Sequence, residues 1–140
     1  ATELRYGVLV DLALQVQAGA PVDISMGHVN VIWLADANAM TLAAFDHVAP
    51  GATILNLAGA DILPLADVAR QFAARFGKSV ELIGAAGPDA LLNNGRASYP
   101  LLGAPQVDAA RMIEWTADWV ARGGENLGKP THFQVRNGKF

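Results

Sequence analysis

Helix-like and strand-like segments alternate along this 140-residue chain, and their order limits the folds open to it. The clearest helix covers residues 64–77, where apolar side chains recur every three or four positions between Pro64 and Gly77. Strands separated by helices are typical of α/β folds, so we predict a small mixed sheet with crossover helices and no linker dividing the chain. The expected strands cover residues 22–26, 29–34, 53–57 and 79–83.

Long helices are expected near both ends of the chain. Residues 3–18 carry an apolar stripe, and Thr2 is a suitable N-cap ahead of it. A chain that opens at a helix cap is also typical of a piece cut from a longer protein. Asp108 is a suitable N-cap for the last helix, in which Trp115 and Trp119 are expected to lie in the core.

A shorter helix is predicted over residues 36–47. Its small side chains Ala39, Leu42 and Ala43 are expected to pack closely against the sheet. Asp36 stands where this helix starts, so the simplest interpretation is an N-cap or first-turn polar group. The sharper interpretation, in which Asp36 faces a pocket, is the less favoured one.

Composition excludes several classes of protein. The hydrophobic fraction of 52% and the charged fraction of 16% indicate a folded domain and not a disordered tail. A net charge of −3 without a dense field of Lys and Arg argues against nucleic acid as a partner. The absence of cysteine rules out disulfides, zinc-thiolate sites and thiol nucleophiles. No apolar run approaches the roughly 20 residues that span a bilayer, and no signal peptide is recognisable, so we expect no membrane partner and a cytoplasmic location.

The sequence contains no catalytic constellation that we recognise. There is no Gly-rich dinucleotide loop after a strand and no phosphate-binding P-loop. The histidines His28, His47 and His132 lack the spacing of a helical metal pair. Tyr6 is followed four residues later by Val10, so it lacks the lysine of a Tyr-x-x-x-Lys pair. We therefore predict no catalytic, cofactor-binding or metal-binding residue in this chain.

Several segments nevertheless match a known pattern in the same order. Residues 29–39 resemble a strand-into-helix element that reads approximately Arg-Asp-Phe-Val-Tyr-Val-Asp-Asp, with Asp36 on the second Asp. Residues 54–59 resemble a Tyr-Asn-Val-Gly strand, and residues 101–107 resemble a Leu-Gly-Trp-x-Pro element ahead of a final Trp-containing helix. In this order they resemble the extended short-chain dehydrogenases/reductases of the NAD-dependent epimerase/dehydratase family. The resemblance covers residues 3–122.

The resemblance implies a division of labour within a longer parent enzyme. In that family an N-terminal Rossmann domain holds NAD or NADP and the Tyr/Lys catalytic pair, while a C-terminal domain closes over the substrate. Residues 1–140 would form the single substrate-side domain of such an oxidoreductase or isomerase. The chain would bind no cofactor and would be inactive alone. Its partners would be the Rossmann domain of the parent and a small-molecule substrate.

Two departures from the family pattern bear on that substrate. Val29 stands where sugar-nucleotide enzymes of this family carry an arginine that helps bind the diphosphate. Residues 85–89 read Ala-Ala-Gly-Pro-Asp, where the family usually has a basic Arg-Pro-Gly-Asp element. Losing both positive charges removes the natural counter-charges of a diphosphate, so we predict a smaller or less charged substrate.

Candidate substrate-binding residues are polar or adaptable side chains in loops and at strand ends, where a cleft would face the parent's other domain. Asn93 and Asn94 adjoin Arg96, and this group is interpreted either as a solvated helix end or as a substrate-reading cluster. The predicted substrate-binding residues are Ser25, Met26, His28, Asn30 and Asn93.

A second interpretation of the chain stays open at this point. A stand-alone α/β binding or interaction module without chemistry would also lack a catalytic constellation. The detached-domain interpretation differs in one expectation, because it predicts exposed apolar surface where the partner domain packed. Such a surface would favour self-association, and we expect it on the first helix.

Overall fold

The computed structural model describes residues 1–135, and its elements form an α/β arrangement of short strands and longer helices. A 3₁₀ turn, Ala44–His47, directly extends the second helix. The helices are α1 (Val8–Ala18), α2 (Leu34–Ala43), α3 (Leu65–Phe76), α4 (Tyr99–Leu102) and α5 (Ala109–Ala121). The strands are β1 (Val22–Asp23), β2 (His28–Val29), β3 (Leu63–Pro64) and β4 (Leu82–Ile83).

The main core lies between three helices, because α1, α3 and α5 pack against one another. Phe72 on α3, Leu9 and Leu12 on α1 and Ile113 on α5 are all fully buried there. The buried side of α3 is the stripe predicted from the sequence, and the left-handed Gly77 ends the helix as expected. The same periodicity that identifies this helix therefore also identifies its packing face.

The strands form two separate two-stranded ribbons. β1 runs parallel to β4, with Val22 opposite Leu82, whereas β2 runs antiparallel to β3, with Val29 opposite Leu63. Parallel and antiparallel pairing with intervening helices confirms the predicted α/β class, with the two kinds of pairing in separate small sheets. The predicted strand over residues 53–57 is wrong, because this segment forms no strand, and β3 was not predicted. The other three strands are shorter than predicted, with two paired residues each.

The start of the first helix was predicted wrongly, because α1 begins at Val8 and Thr2 is not its N-cap. Instead Thr2 forms a parallel bridge to Trp33, with its N–H donating to Ile32 O at 2.8 Å and its carbonyl accepting from Leu34 N at 2.9 Å. Gly7 allows this path, since a Cβ there would lie 2.2 Å from the Thr2 hydroxyl. A long-range pairing thus overrides the local helix signal.

The predicted packing face of α2 is also wrong. Leu42 is largely exposed, and the one buried residue of α2 is Met40, which packs in a small second cluster with Ile32 and Leu102. Asp36 lies in the first turn of α2, as one of the two predicted alternatives, but it is not the N-cap, because α2 begins at Leu34. The Asp36 carboxylate instead accepts hydrogen bonds from the backbone N–H groups of residues 106 and 107 at 3.1 and 2.9 Å. It therefore ties α2 to the segment before α5.

The last helix combines one confirmed prediction with one error. Asp108 is its N-cap and accepts a hydrogen bond from Arg111 N at 2.8 Å. Trp115, however, is 37% exposed and packs edge-on against Trp33, with ring centroids 5.4 Å apart. Trp119 is half-buried at the side of the helix. The core-facing stripe of α5 instead carries Met112, Ile113, Thr116 and Val120.

Candidate functional site

One open cavity of about 320 Å³ lies where three separate parts of the chain meet. These parts are the loop after β2, the irregular residues 56–62 and the irregular residues 92–96, which lead to α4. We call it the asparagine cavity. Its lining consists of Asn30, Gly59, Ala60, Ile62, Leu92, Asn93, Asn94, Gly95, Arg96 and Tyr99.

Two of the predicted site residues, Asn30 and Asn93, form the frame of this cavity. The Asn30 side-chain nitrogen donates to Asn93 O at 2.5 Å and to Gly59 O at 3.3 Å. In return, the Asn93 backbone N–H donates to the Asn30 side-chain oxygen at 3.1 Å. Asn30 thereby uses both ends of its amide to join segments that are distant in the sequence.

Other side chains hold the extended wall of the cavity by its carbonyl groups. Ser98 Oγ donates to Asn56 O at 2.7 Å, and Tyr99 OH donates to Ala58 O at 2.8 Å. The Asn93 side chain donates to Leu57 O at 3.3 Å. Residues 56–59 form no strand, so these side chains replace the ladder hydrogen bonds that a sheet would supply.

The cavity wall also contains glycines at points where two backbone segments come close together. A Cβ at Gly59 would lie 1.8 Å from Val31 O, and a Cβ at Gly95 would lie 2.9 Å from Ala58 N. Neither approach leaves room for a side chain. The cavity therefore has a tightly determined backbone with few ways to rearrange.

The charge of the cavity comes from Arg96 alone among its lining residues. The Arg96 backbone N–H donates to the Asn94 side-chain oxygen at 3.1 Å. This turn sets the position of the Arg96 backbone, from which the side chain extends. Leu92 and Ile62 contribute exposed apolar surface beside it. The site can therefore combine charge recognition with contact to a carbon skeleton.

The remaining predicted residues lie away from this cavity. Met26 is 2% exposed and belongs to the main core, which leaves its side chain no access to a ligand. His28 lies exposed on β2, and the Ser25 carbonyl accepts a hydrogen bond from Gly87 N at 3.0 Å. Neither residue lines the asparagine cavity. Of the five predicted substrate-binding residues, two therefore lie together at the asparagine cavity and three lie elsewhere. The two are Asn30 and Asn93, and the three are Ser25, Met26 and His28.

Sequence reasoning did not select Arg96 or Tyr99 as site residues, although Arg96 had been noted beside Asn93. A signal was present, because Asn93, Asn94 and Gly95 are typical turn residues and Arg96 directly follows them. Tyr99 gave no such signal, since only the fold brings its hydroxyl to Ala58.

Within residues 1–135, no group of three or more His, Asp or Glu side chains is arranged to hold a metal ion. In the same part of the chain, no helix combines the length and apolar character needed to cross a bilayer.

Comparison with known proteins gives a structural match without a sequence match. No family model and no curated protein matches the sequence. The structure resembles UDP-glucuronic acid 4-epimerase from Bacillus cereus in complex with NAD, with a TM-score of 0.65 and 16% identity over 83% of this chain and 39% of that chain.

Two other solved structures give the same result. A UDP-galactose 4-epimerase matches with a TM-score of 0.62 and 23% identity over 85% of this chain and 41% of that chain. The enzyme WbmG from Bordetella bronchiseptica in complex with NAD matches with a TM-score of 0.69 and 15% identity over 94% of this chain and 43% of that chain.

These matches define the class of fold. The chain has the fold of a part of these solved enzymes, two of which are UDP-sugar 4-epimerases. It spans about two-fifths of the length of the solved proteins that it matches. This agrees with the fold predicted from the ordered sequence segments.

Proposed function

We propose that this chain supplies the substrate-binding side of an NAD- or NADP-dependent epimerase/dehydratase-like oxidoreductase and has no activity by itself. The observation that carries the proposal is unequal coverage: the matches to the three solved enzymes cover most of this chain but only about two-fifths of each of those enzymes. In the intact protein a Rossmann domain would bind the cofactor and carry the Tyr/Lys pair. Residues 1–140 would form the single domain opposite it.

Strongly exposed apolar side chains, close together in the sequence, support a partner domain. Four side chains on α2, on the 3₁₀ turn and in the segments that follow project into solvent, and we call them the α2 surface. Globular domains seldom leave so many large apolar groups this exposed without a partner. The exposed fractions are 67% for Leu42, 71% for Phe45, 76% for Val48 and 91% for Ile54.

This location corrects the prediction that the first helix would be the contact surface. Leu9, Leu12 and Val16 of α1 are 0% exposed, since α1 lies in the main core between α3 and α5. The α2 surface is instead held in place from behind, where His47 Nε2 lies 3.0 Å from Leu101 O and Met40 packs on Leu102. A docking surface of this kind is preorganised.

The segment 53–57 supports the same conclusion. Its sequence predicts a strand, yet within residues 1–135 it pairs with no other strand. Its last carbonyls are held by side chains from the asparagine cavity, whereas Ile54 projects outward. A strand-forming sequence without a pairing partner is explained if the intact protein supplies that partner from its other domain.

The asparagine cavity would then form part of the substrate-binding side. Gly59 lines the cavity, and it closely follows residues 53–57, which lead from the α2 surface. A small-molecule substrate in the cavity would therefore lie near the domain boundary, where the cofactor's domain could reach it. We expect this substrate to be smaller or less charged than the UDP-sugars named for two of the matched epimerases.

Hydrogen exchange tests this proposal in the protein purified from its source. We expect the amides of residues 42–48 and 53–57 to exchange fast in the isolated 140-residue chain and at least tenfold slower in the native protein, because a second domain covers them. Residues of α1 serve as the internal control, since they are buried in both. Equal exchange rates at the α2 surface would favour a stand-alone binding module and contradict the proposal.

A further inference from the structure

The asparagine cavity has an unbalanced set of hydrogen-bonding groups. Its carbonyl acceptors are largely occupied by donors of the same chain: Ala58 O by Tyr99, Gly59 O and Asn93 O by Asn30, and Asn94 O by Asn56. The Asn94 side-chain oxygen is occupied as well, since it accepts from Arg96 N. A ligand that entered the cavity would find few free acceptors.

Two donor groups of the cavity have no partner in the described part of the chain. Among residues 1–135, no side chain or carbonyl forms a hydrogen bond or ion pair with the Arg96 guanidinium, and no acceptor takes the Asn94 side-chain nitrogen. Arginine carries five N–H donors in a planar fork and keeps its charge at any ordinary pH. The unused charge of the cavity is therefore positive, which is the complement of an anion, whereas the Asn93 side-chain oxygen is a neutral acceptor that no described residue occupies.

The cavity also has an apolar side. Ile62 and Leu92 are 58% and 42% exposed at its edge, beside the ring of Tyr99. A free inorganic anion would leave this surface in water. A ligand with a short carbon skeleton would cover it and add a favourable burial of apolar area.

The volume and the charge of the cavity narrow the class of ligand further. A volume of about 320 Å³ lies at the lower end of the roughly 300–1,000 Å³ typical of small-molecule pockets. The planar fork of arginine fits two oxygens of a carboxylate or of a phosphate, but the single positive charge of Arg96 offsets a single negative charge. A phosphate dianion or a diphosphate would leave one or more charges without a counter-ion.

We propose that the asparagine cavity binds the carboxylate of a compact, sugar-sized organic acid, with Arg96 as its counter-ion and the Asn94 amide as a second donor. This rests on the proposed substrate-binding role and names the class of compound that the site takes. The apolar edge at Ile62 and Leu92 contacts the carbon skeleton of the ligand. Asn30 and Asn93 do not contact the charge, since they hold the cavity together.

Titration of the isotopically labelled 140-residue chain tests the assignment. Three probes of similar size are compared by NMR, namely glucuronate, glucose and glucose 1-phosphate, while the side-chain N–H signals of Arg96 and Asn94 are followed. We expect saturable shifts of both signals with glucuronate, at least tenfold weaker binding of glucose, and weaker binding of glucose 1-phosphate. Added salt weakens the glucuronate interaction, because the contact is ionic and open to solvent.

A matched pair of variants separates the site from a general charge effect. Arg96→Gln keeps most of the side-chain length and is expected to lower glucuronate affinity at least tenfold, because a charge-assisted contact is lost. Arg70→Gln removes an equal charge from the exposed side of α3, where Arg70 pairs only with Asp67, and is expected to change affinity less than twofold.

Three results would overturn the assignment. Equal binding of glucose would show that no charge is recognised, and tighter binding of glucose 1-phosphate would assign the site to phosphate. Unchanged affinity in Arg96→Gln would place the anion elsewhere. None of these results bears on the partner domain, whose presence is tested by hydrogen exchange in the native protein. The folded state of each variant is checked from the dispersion of its backbone amide signals.

Discussion

Asn30 and Asn93 form a reciprocal pair, in which the Asn30 side chain donates to the Asn93 carbonyl at 2.5 Å and accepts from the Asn93 N–H at 3.1 Å. The side chain of Asn30 thus acts as a substitute for a strand partner. Because it also donates to Gly59 O, a single amide connects three parts of the cavity wall. The cavity exists because of this residue more than because of any regular element.

Substitution of Asn30 tests the pair directly. Asn30→Asp keeps the shape but replaces the donor by an acceptor that faces the carbonyls of Gly59 and Asn93. We expect it to lower the free energy of unfolding by about 1–3 kcal/mol, as is typical when polar partners are left unpaired. Urea unfolding measures the change. Asn38→Asp on the exposed side of α2 is the control, and equal stability of Asn30→Asp and this control would contradict the assigned role.

Asp36 offers a second test, because its carboxylate connects α2 to the residues before α5. Asp36→Ala leaves the backbone N–H groups of Gln106 and Val107 without their acceptor and is expected to lower the free energy of unfolding by about 1–3 kcal/mol. Asp46→Ala in the exposed 3₁₀ turn removes an equal charge and should change it by less than about 0.5 kcal/mol. If the two substitutions had the same effect in thermal or urea unfolding, the hydrogen bonds of the Asp36 carboxylate would contribute nothing to stability.

Gly59 is expected to be intolerant of any side chain. In Gly59→Ala the new Cβ would lie 1.8 Å from Val31 O, so the wall of the asparagine cavity must move. Overpacking of this kind costs about 1–3 kcal/mol or more. Gly51→Ala is the comparison, because Gly51 has open space around it and only the strain of its positive φ of 95°. A smaller loss in Gly59→Ala than in Gly51→Ala would contradict the tight approach.

The α2 surface predicts a substitution that changes association but not folding. In the 140-residue chain, Leu42→Ser with Phe45→Ser removes apolar groups that are already mostly in water. We expect little change in the free energy of unfolding and a weaker tendency to self-associate in sedimentation experiments. Leu127→Ser, at an exposed leucine in the C-terminal segment, is the control. Loss of folding in the double variant would show that these side chains belong to the core.

The sequence predicted the features whose causes are local. The α3 stripe, its Gly77 stop and the Asp108 cap follow from periodicity and capping within a few residues, and all three were found. The ordered segments also predicted the epimerase-type fold. Local sequence patterns are enough to predict these features, because the interacting residues belong to the same helix.

The wrong predictions for Thr2, α1 and α2 share a different cause. Thr2 was assigned as a cap because its partner at Trp33 is distant in the sequence, and α1 was assigned a contact surface that the main core in fact covers. The face of α2 was predicted to pack because its apolar residues were assumed to find a partner within this chain. In the cavity, Asn30 and Asn93 were both selected, but no pattern shows that residues so far apart meet.

The central claim, that this chain is one part of a dinucleotide-dependent enzyme, is tested most directly by the intact mass of the native protein purified from its source. We predict a much longer chain that contains residues 1–140 and copurifies with NAD or NADP, which mass spectrometry and the absorbance of the cofactor would show together. A native product of 14.7 kDa without a dinucleotide would contradict the account.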